Sequence, residues 1–255
     1  MSSAPANSNL LNSGQGYIGE ALAKHLELFG QLLPEDRAAL VEVEGELRQL
    51  DRGEDVVRIG DKPTHVVIVL RGLLQRYTID EEGSRQIHSF YVPTETPSLE
   101  ALYMDALDNA LSPVTPSIVG LISHADIMPL IEQRPKLMAL IWRETLIQAS
   151  IFREALMRNS HKLAHARMAN FFCEMMVRSK AAGLADGDSC PLPITQDELA
   201  DALGMSPVHI NRTLMVLRST GWMEFKSGVL IIYDFERLAE LAGFDPAYLH
   251  LRQSV

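Results

Sequence analysis

The stretch that most restricts this chain runs from Thr195 to Arg218, TQDELADALGMSPVHINRTLMVLR. Thr195 and Glu198 have capping-box spacing: a threonine hydroxyl can accept from the amide three residues on, while the glutamate reaches back to the first amide. A helix therefore starts at Thr195. Gly204 can take the left-handed conformation of a tight turn, and Ser206 with Pro207 supplies an N-cap and a first helical position for a second helix. Leu199, Ala200, Leu203, Met205, Ile210 and Leu214 are spaced to meet between the two helices, and small Ala200 permits a close crossing. Two helices with almost no linker form a helix-turn-helix, whose second helix enters the DNA major groove.

The first turns of that second helix carry suitable chemistry. Ser206, Pro207, Val208, His209, Asn211 and Arg212 lie there; Arg can reach guanine O6 and N7, Asn can read adenine, and apolar groups can touch a thymine methyl. Arg218, later on the helix, is expected to meet a phosphate or an acidic neighbour. GWMEF, KSG and VLIIYDF then read as strand, turn and strand, a wing with Lys226 and Ser227 at its tip.

Charge has to be weighed against this reading, because the 255-residue chain is acidic, with 23 Lys+Arg against 33 Asp+Glu. The excess is local. Residues 1–142 hold 11 basic and 20 acidic side chains, a balance of −9, and residues 143–255 hold 12 and 13, a balance of −1. A nucleic-acid surface needs a local basic stripe rather than a basic average, so the second half stays open to it.

Upstream, MSSAPANSNLLNSG reads as the start of a loose arm over 1–19, without the order of a signal peptide, and no segment has the length of a membrane span. A cytoplasmic protein with no membrane partner is expected. Leu22, Leu26, Phe29, Leu33 and Leu40 suggest two short helices up to about Arg48. Short β-rich runs follow at Asp55–Ile59, His65–Leu70, Leu73–Ile79, Gln86–Val92 and Ser117–Ile122, broken by turn residues in the rhythm of an antiparallel sandwich or barrel. Helical periodicity resumes at His124. Leu137, Leu140, Ile141, Ile147, Ile151, Phe152, Ala155 and Leu156 make a stripe broader than one barrel can cover, which predicts a homodimer through a helix at about Pro135–Arg158; burial inside the monomer is the alternative. A further helix is expected from Ser160 to about Lys180.

The order of an N-terminal β-barrel, a long helix and a winged helix-turn-helix with TQDELADALGMSPVHINRTLMVLR resembles the Crp/Fnr family of bacterial transcription regulators. The resemblance spans about residues 20–235. It implies an α+β fold: an arm over 1–19, a cyclic-nucleotide-binding-like jelly-roll sensor over 20–134, a dimerisation helix over 135–159 and a winged DNA-binding domain over 160–255. It implies a homodimer on a near-palindromic operator, with RNA polymerase as a possible partner and no catalytic activity. The family's recognition arginine matches Arg212, and its variable base readers match Pro207, Val208 and Asn211. The family usually has Glu at the position of Val208, which points to an unusual operator.

The family's phosphate cassette pairs Gly-Glu with Arg-Ser, whereas residues 93–114, PTETPSLEALYMDALDNALSPV, contain no Arg, Lys or Gly. Glu95, Glu100, Asp105 and Asp108 would repel a cyclic phosphate, so cyclic AMP is not the expected ligand; LEALYMDAL reads as a solvated surface helix. Residues 1–60 have no cysteine for an iron-sulfur cluster, and Cys173 and Cys190 are too few for a zinc site. His65 and His88 leave haem open, and His161 with His165 has the spacing of a weak metal pair or of a hinge or phosphate-facing pair. The cofactor, if any, stays unknown, with an apolar or aromatic effector, or none, as the expectation. A small-molecule or haem sensor acting through protein contacts is the alternative function.

Overall fold

The computed structural model describes residues 14–252. Two helices open it, α1 (Gly14–Glu27) and α2 (Pro34–Val41). The loose arm expected over 1–19 is thus helical from Gly14, and its remainder, residues 1–13, lies outside the described residues. The helix is held there by packing: Ile18 is buried against Gly120, where a Cβ would come within 2.7 Å of its side chain.

Six strands follow: β1 (Glu46–Leu50), β2 (His65–Arg71), β3 (Leu74–Ile79), β4 (Arg85–Tyr91), β5 (Ala110–Pro113) and β6 (Ser117–Ser123). They form two three-stranded antiparallel sheets, ordered β1-β6-β2 and β4-β3-β5. Val67, Val69, Leu74, Tyr91, Val119 and Leu121 fill the space between the sheets. Both outer faces are covered as well. Val66, Ile68 and Leu70 alternate with the inward valines and pack under α1, α2 and the long helix, so all five central residues of β2 are buried.

Two strands depart from expectation. Asp55–Ile59 makes only an isolated bridge at Val57 to Leu111, because turns at Gly53 and Gly60, both at positive φ, bracket it too closely. Glu46–Leu50, expected as the end of a helix, is β1. Leu47 and Leu50 sit three apart, which mimics helical spacing, but they lie on opposite faces of the strand and are each packed against a different core.

Helices α3 (His124–Glu132), α4 (Pro135–His161) and α5 (Ala164–Ala181) come next. In α4, Leu137, Leu140, Ile141, Ile147 and Ile151 are buried against the chain's own N-terminal helices and first sheet. These five members of the expected stripe are covered within one chain and need no second copy, whereas its last member, Leu156, stays bare at 69% exposure. Trp142 and Leu146, outside the expected stripe, are bare as well, at 59% and 51%. The chain ends with β7 (Ser189–Pro191), α6 (Gln196–Leu203), α7 (Pro207–Ser219), β8 (Met223–Lys226), β9 (Val229–Ile232), α8 (Phe235–Ala242) and a 3-10 turn at Pro246–Leu249. Ile87 and Phe90 of β4, with Leu73 and Val92 just outside the strands of the second sheet, share one core with Phe171, Phe172, Leu203 and Leu214 from this C-terminal half. No described helix is long and apolar enough to cross a membrane.

Candidate nucleic-acid interface

Local chemistry builds the reading head. The Thr195 hydroxyl accepts from the Glu198 amide at 3.2 Å, and the Thr195 amide donates to the Glu198 carboxylate at 2.7 Å, so both halves of the capping box form at the start of α6. Gly204 ends α6 at φ 61°, a left-handed cap that glycine adopts without a Cβ clash. Ser206 then caps α7, accepting from the His209 amide at 3.3 Å, with Pro207 at the first helical position.

Ile210, Leu214 and Leu217 of α7 are buried against Leu199 and Leu203 of α6. This fixes which face of α7 turns outward. Ser206, Pro207, His209, Asn211 and Arg212 are exposed on it, and Val208 is 72% exposed. Asn211 donates its side-chain amide to Gln196 Oε1 at 3.3 Å, which ties it to the first turn of α6. β7, β9 and β8 form the wing sheet, and β8 and β9 are joined by Ser227 and Gly228, at φ 53° and 76°. Positive φ at both central residues is the tight turn whose twist matches its strands. Lys226 and Ser227 are exposed there.

Arg218 is exposed, and its guanidinium donates to the Phe225 carbonyl of β8, which braces α7 against the wing; it meets no acidic side chain among the described residues. Neither Arg212 nor Lys226 enters an ion pair among the described residues.

The acidic 93–114 segment is also corrected: its first part is built in rather than solvated. Glu95 is 9% exposed and accepts from Arg178 of α5 at 2.9 and 2.7 Å. Glu100 pairs with Arg76 of β3, and Leu99, Ala101 and Leu102 of the 3-10 turn Leu99–Tyr103 are buried. The arginines this segment lacks come from elsewhere in the fold and already hold its own carboxylates. Arg178 also donates to the Phe90 carbonyl and to Glu174 at 3.1 Å, while Glu174 accepts from Arg158 at 2.8 Å and from the Tyr248 hydroxyl at 2.9 Å. Burial pushes Glu174 towards protonation, but Arg158, Arg178 and the Tyr248 hydroxyl outweigh it and hold the carboxyl below its ordinary value.

Sequence reasoning missed Arg76, Arg158, Arg178, Glu174 and Tyr248. Glu174 and Arg178 did leave a trace, a charged pair four apart with Glu174 inside the apolar run MANFFCEMMV and Arg178 directly after it, where a solvated pair is out of place.

A cavity of about 370 Å³ opens beside β1, β2 and the 3-10 turn, and a larger one of about 790 Å³ lies between the second sheet, α4 and the α6–α7 turn. Ile87, Met104, Phe152 and Leu156 give the larger one apolar walls, and its polar lining comprises Arg76, Thr78, Gln86, His88, Glu100, Asp108, Asn109 and Asn159. His88 bonds Thr78 Oγ1 at 2.9 Å, and burial followed by Arg76 lowers its pKa. His65 sits on the other sheet beside Thr64, so the two strand histidines do not converge. No group of three or more His, Cys, Asp or Glu side chains is placed to hold a metal among the described residues. Cys173 is buried, which pushes its thiol up to about 12.

Residues 47–134 match the cyclic nucleotide-binding domain and residues 166–241 the Crp-like helix-turn-helix domain. Transcriptional activator protein FnrA of Stutzerimonas stutzeri is 26% identical over 88% of this chain and 93% of its own length. Transcriptional activator protein anr of Pseudomonas aeruginosa is 25% identical over 83% of this chain and 86% of its own. The solved structure of FixK2 from Bradyrhizobium japonicum shares the fold, with a TM-score of 0.71 at 21% identity, covering 77% of this chain and 96% of that one.

Proposed function

We propose, for a chain that belongs to the Crp/Fnr family of DNA-binding transcription regulators, that it acts as a cytoplasmic homodimer reading a near-palindromic operator. The observation that carries this is the outward face of α7, where Val208, His209, Asn211 and Arg212 stand exposed while Arg218 is consumed in bracing the wing. Arg212 faces guanine, Asn211 faces adenine, and Pro207 and Val208 supply apolar contact for a thymine methyl. Ser206, Lys226 and Ser227 lie where phosphates pass. Few cations stand on the reading head, and the salt slope of binding scales with the number of phosphates that they neutralise.

Dimerisation uses the bare stripe of α4, Trp142, Leu146 and Leu156, which recur at near-heptad spacing. Cyclic AMP is not the signal. Glu95 and Glu100 occupy the guanidinium groups that a phosphate would need, and expelling Glu95 would leave a charge unpaired in a buried place. The apolar-walled cavity beside Phe152 suits a neutral or aromatic effector instead. The protein carries out no catalysis in this reading, and RNA polymerase is its partner once bound.

Selection of binding sites from a random duplex pool, followed by footprinting, tests the proposal. Two half-sites about one helical turn apart are expected. A pool that yields no consensus at salt near 0.15 M would overturn it.

A further inference from the structure

After the wing, the chain does not end at the C-terminal half. Gly243 stops α8 in the left-handed conformation, and Lys162, at the α4–α5 joint, donates to the Ala242 and Gly243 carbonyls at 2.6 and 2.8 Å. The chain then runs back across the joint. The Phe244 and Tyr248 rings pack edge to face, and the Tyr248 hydroxyl enters the buried Glu174–Arg158–Arg178 cluster. Leu249 is 2% exposed within the core of α1 and α4. His250, at φ 48°, turns the backbone, and the Arg252 amide donates to the Leu28 carbonyl at 2.8 Å while its guanidinium donates to the Gly30 carbonyl at 3.1 Å. The last described residues are therefore bonded to the exit of the first helix.

We infer that residues 244–252 are a strap that fixes the reading head relative to the α4 dimer helix and so sets the half-site spacing the regulator accepts. The backbone crosses between the two halves at Lys162–Leu163, and the shared core with the Arg178–Glu95 pair holds them on the side of the second sheet. The strap adds a tether on another side, from the far end of the C-terminal half to α1. The contacts Arg85–Asp201 and Arg52–Glu198 keep α6 against the sandwich in the same pose. In that pose the outward face of α7 stays open, so the strap does not block DNA. Its effect is preorganisation: two heads held at one separation bind a two-half-site operator without the cost of ordering them.

The inference rests on the dimeric DNA-binding reading, and the test separates the two. A full-length protein, a chain ending at Gly243, and the milder pair Tyr248→Phe with Leu249→Ala are compared on a duplex selected by the full-length protein. They are also compared on a single half-site and on a version with about two extra base pairs between half-sites, which rotates one half by roughly 70°. Full-length protein should reject the spaced duplex. Both strap variants should bind the selected duplex about tenfold more weakly, bind the half-site as before, and lose most of the discrimination against the spaced duplex. Equal spacing dependence in all three proteins would overturn the strap. Hydrogen exchange gives a readout free of DNA: the amides of α6 and β4 should exchange faster in both variants, and unchanged protection would equally overturn it. Failure of full-length protein to select any duplex would instead overturn the reading on which the strap's role rests, with exchange still reporting the tether.

Discussion

Replacing Arg178 with methionine removes the cation at the crossing of the two halves. The guanidinium is buried, with 4% of the side chain exposed, and it serves Glu95 through two bonds, Glu174 through one and the Phe90 carbonyl through another. Burial alone would favour losing its proton, but the carboxylates of Glu95 and Glu174 outweigh that and raise its pKa. After the change Glu174 keeps Arg158 and Tyr248, whereas Glu95 keeps only the Val92 amide. One carboxylate is thus left nearly bare in a buried site, for which breaking a buried pair typically costs about 3–5 kcal/mol. That is a large part of a domain's usual stability of roughly 5–15 kcal/mol. Urea unfolding followed by circular dichroism, at fixed protein concentration and pH 7, measures it. Arg178→Met with Glu95→Gln should recover about 2 kcal/mol of the loss, because the orphan is then a neutral group that can still accept from Val92. Arg178→Lys should fall between, since an ammonium keeps the charge and loses the two-pronged geometry. Acid sharpens the test. The depressed pKa of Glu174 means its stabilisation is complete above the ordinary carboxylate pKa and disappears as pH falls through the lower folded value. Without Arg178 that folded value rises towards the ordinary one, so acid unfolding should begin at higher pH. A cost under about 1 kcal/mol at pH 7, or a double variant no more stable than the single one, would refute the reasoning.

Three other outcomes are expected. Trp142→Glu with Leu146→Glu should sediment as a folded monomer, while Ile147→Glu or Ile151→Glu should unfold the chain, because the first pair is exposed and the second buried; a Trp142/Leu146 variant that stays dimeric rejects the α4 seam. Arg212→Ala should cost roughly 1–3 kcal/mol on the selected duplex and flatten one base preference, and Lys226→Ala should weaken all duplexes alike and lower the salt slope by about one unit. Equal loss from Arg212→Ala on selected and scrambled duplexes makes it a phosphate contact instead. Millimolar cyclic AMP should leave the melting temperature unchanged, whereas a ligand at a hundredfold excess over its Kd adds about 2.7 kcal/mol; a clear upward shift means that Glu95 and Glu100 yield to a phosphate.

Distance along the chain decided what could be read in advance. The reading head was legible because its determinants are local: Thr195 and Glu198 are three apart, Gly204, Ser206 and Pro207 are nearly contiguous, and each acts on the backbone beside it. The Glu95–Arg178 pair joins residues 83 apart, and nothing next to Glu95 distinguishes it from a solvated acid. The tail was opaque for the same reason, since Arg252 finds its acceptors at Leu28 and Gly30. Helix α4 shows a subtler limit. Its apolar residues were visible, but Leu146 and Ile147 are neighbours in sequence, and one is bare while the other is sealed. Periodicity tells how residues divide between faces of a helix and not what covers each face. Here the first layer is supplied by α1 and the sheet, 100 or more residues upstream in part, and the second by nothing among the described residues. The apolar content of α4 is therefore divided between a face that folds the protomer and a bare face, the one that the proposed dimer would bury.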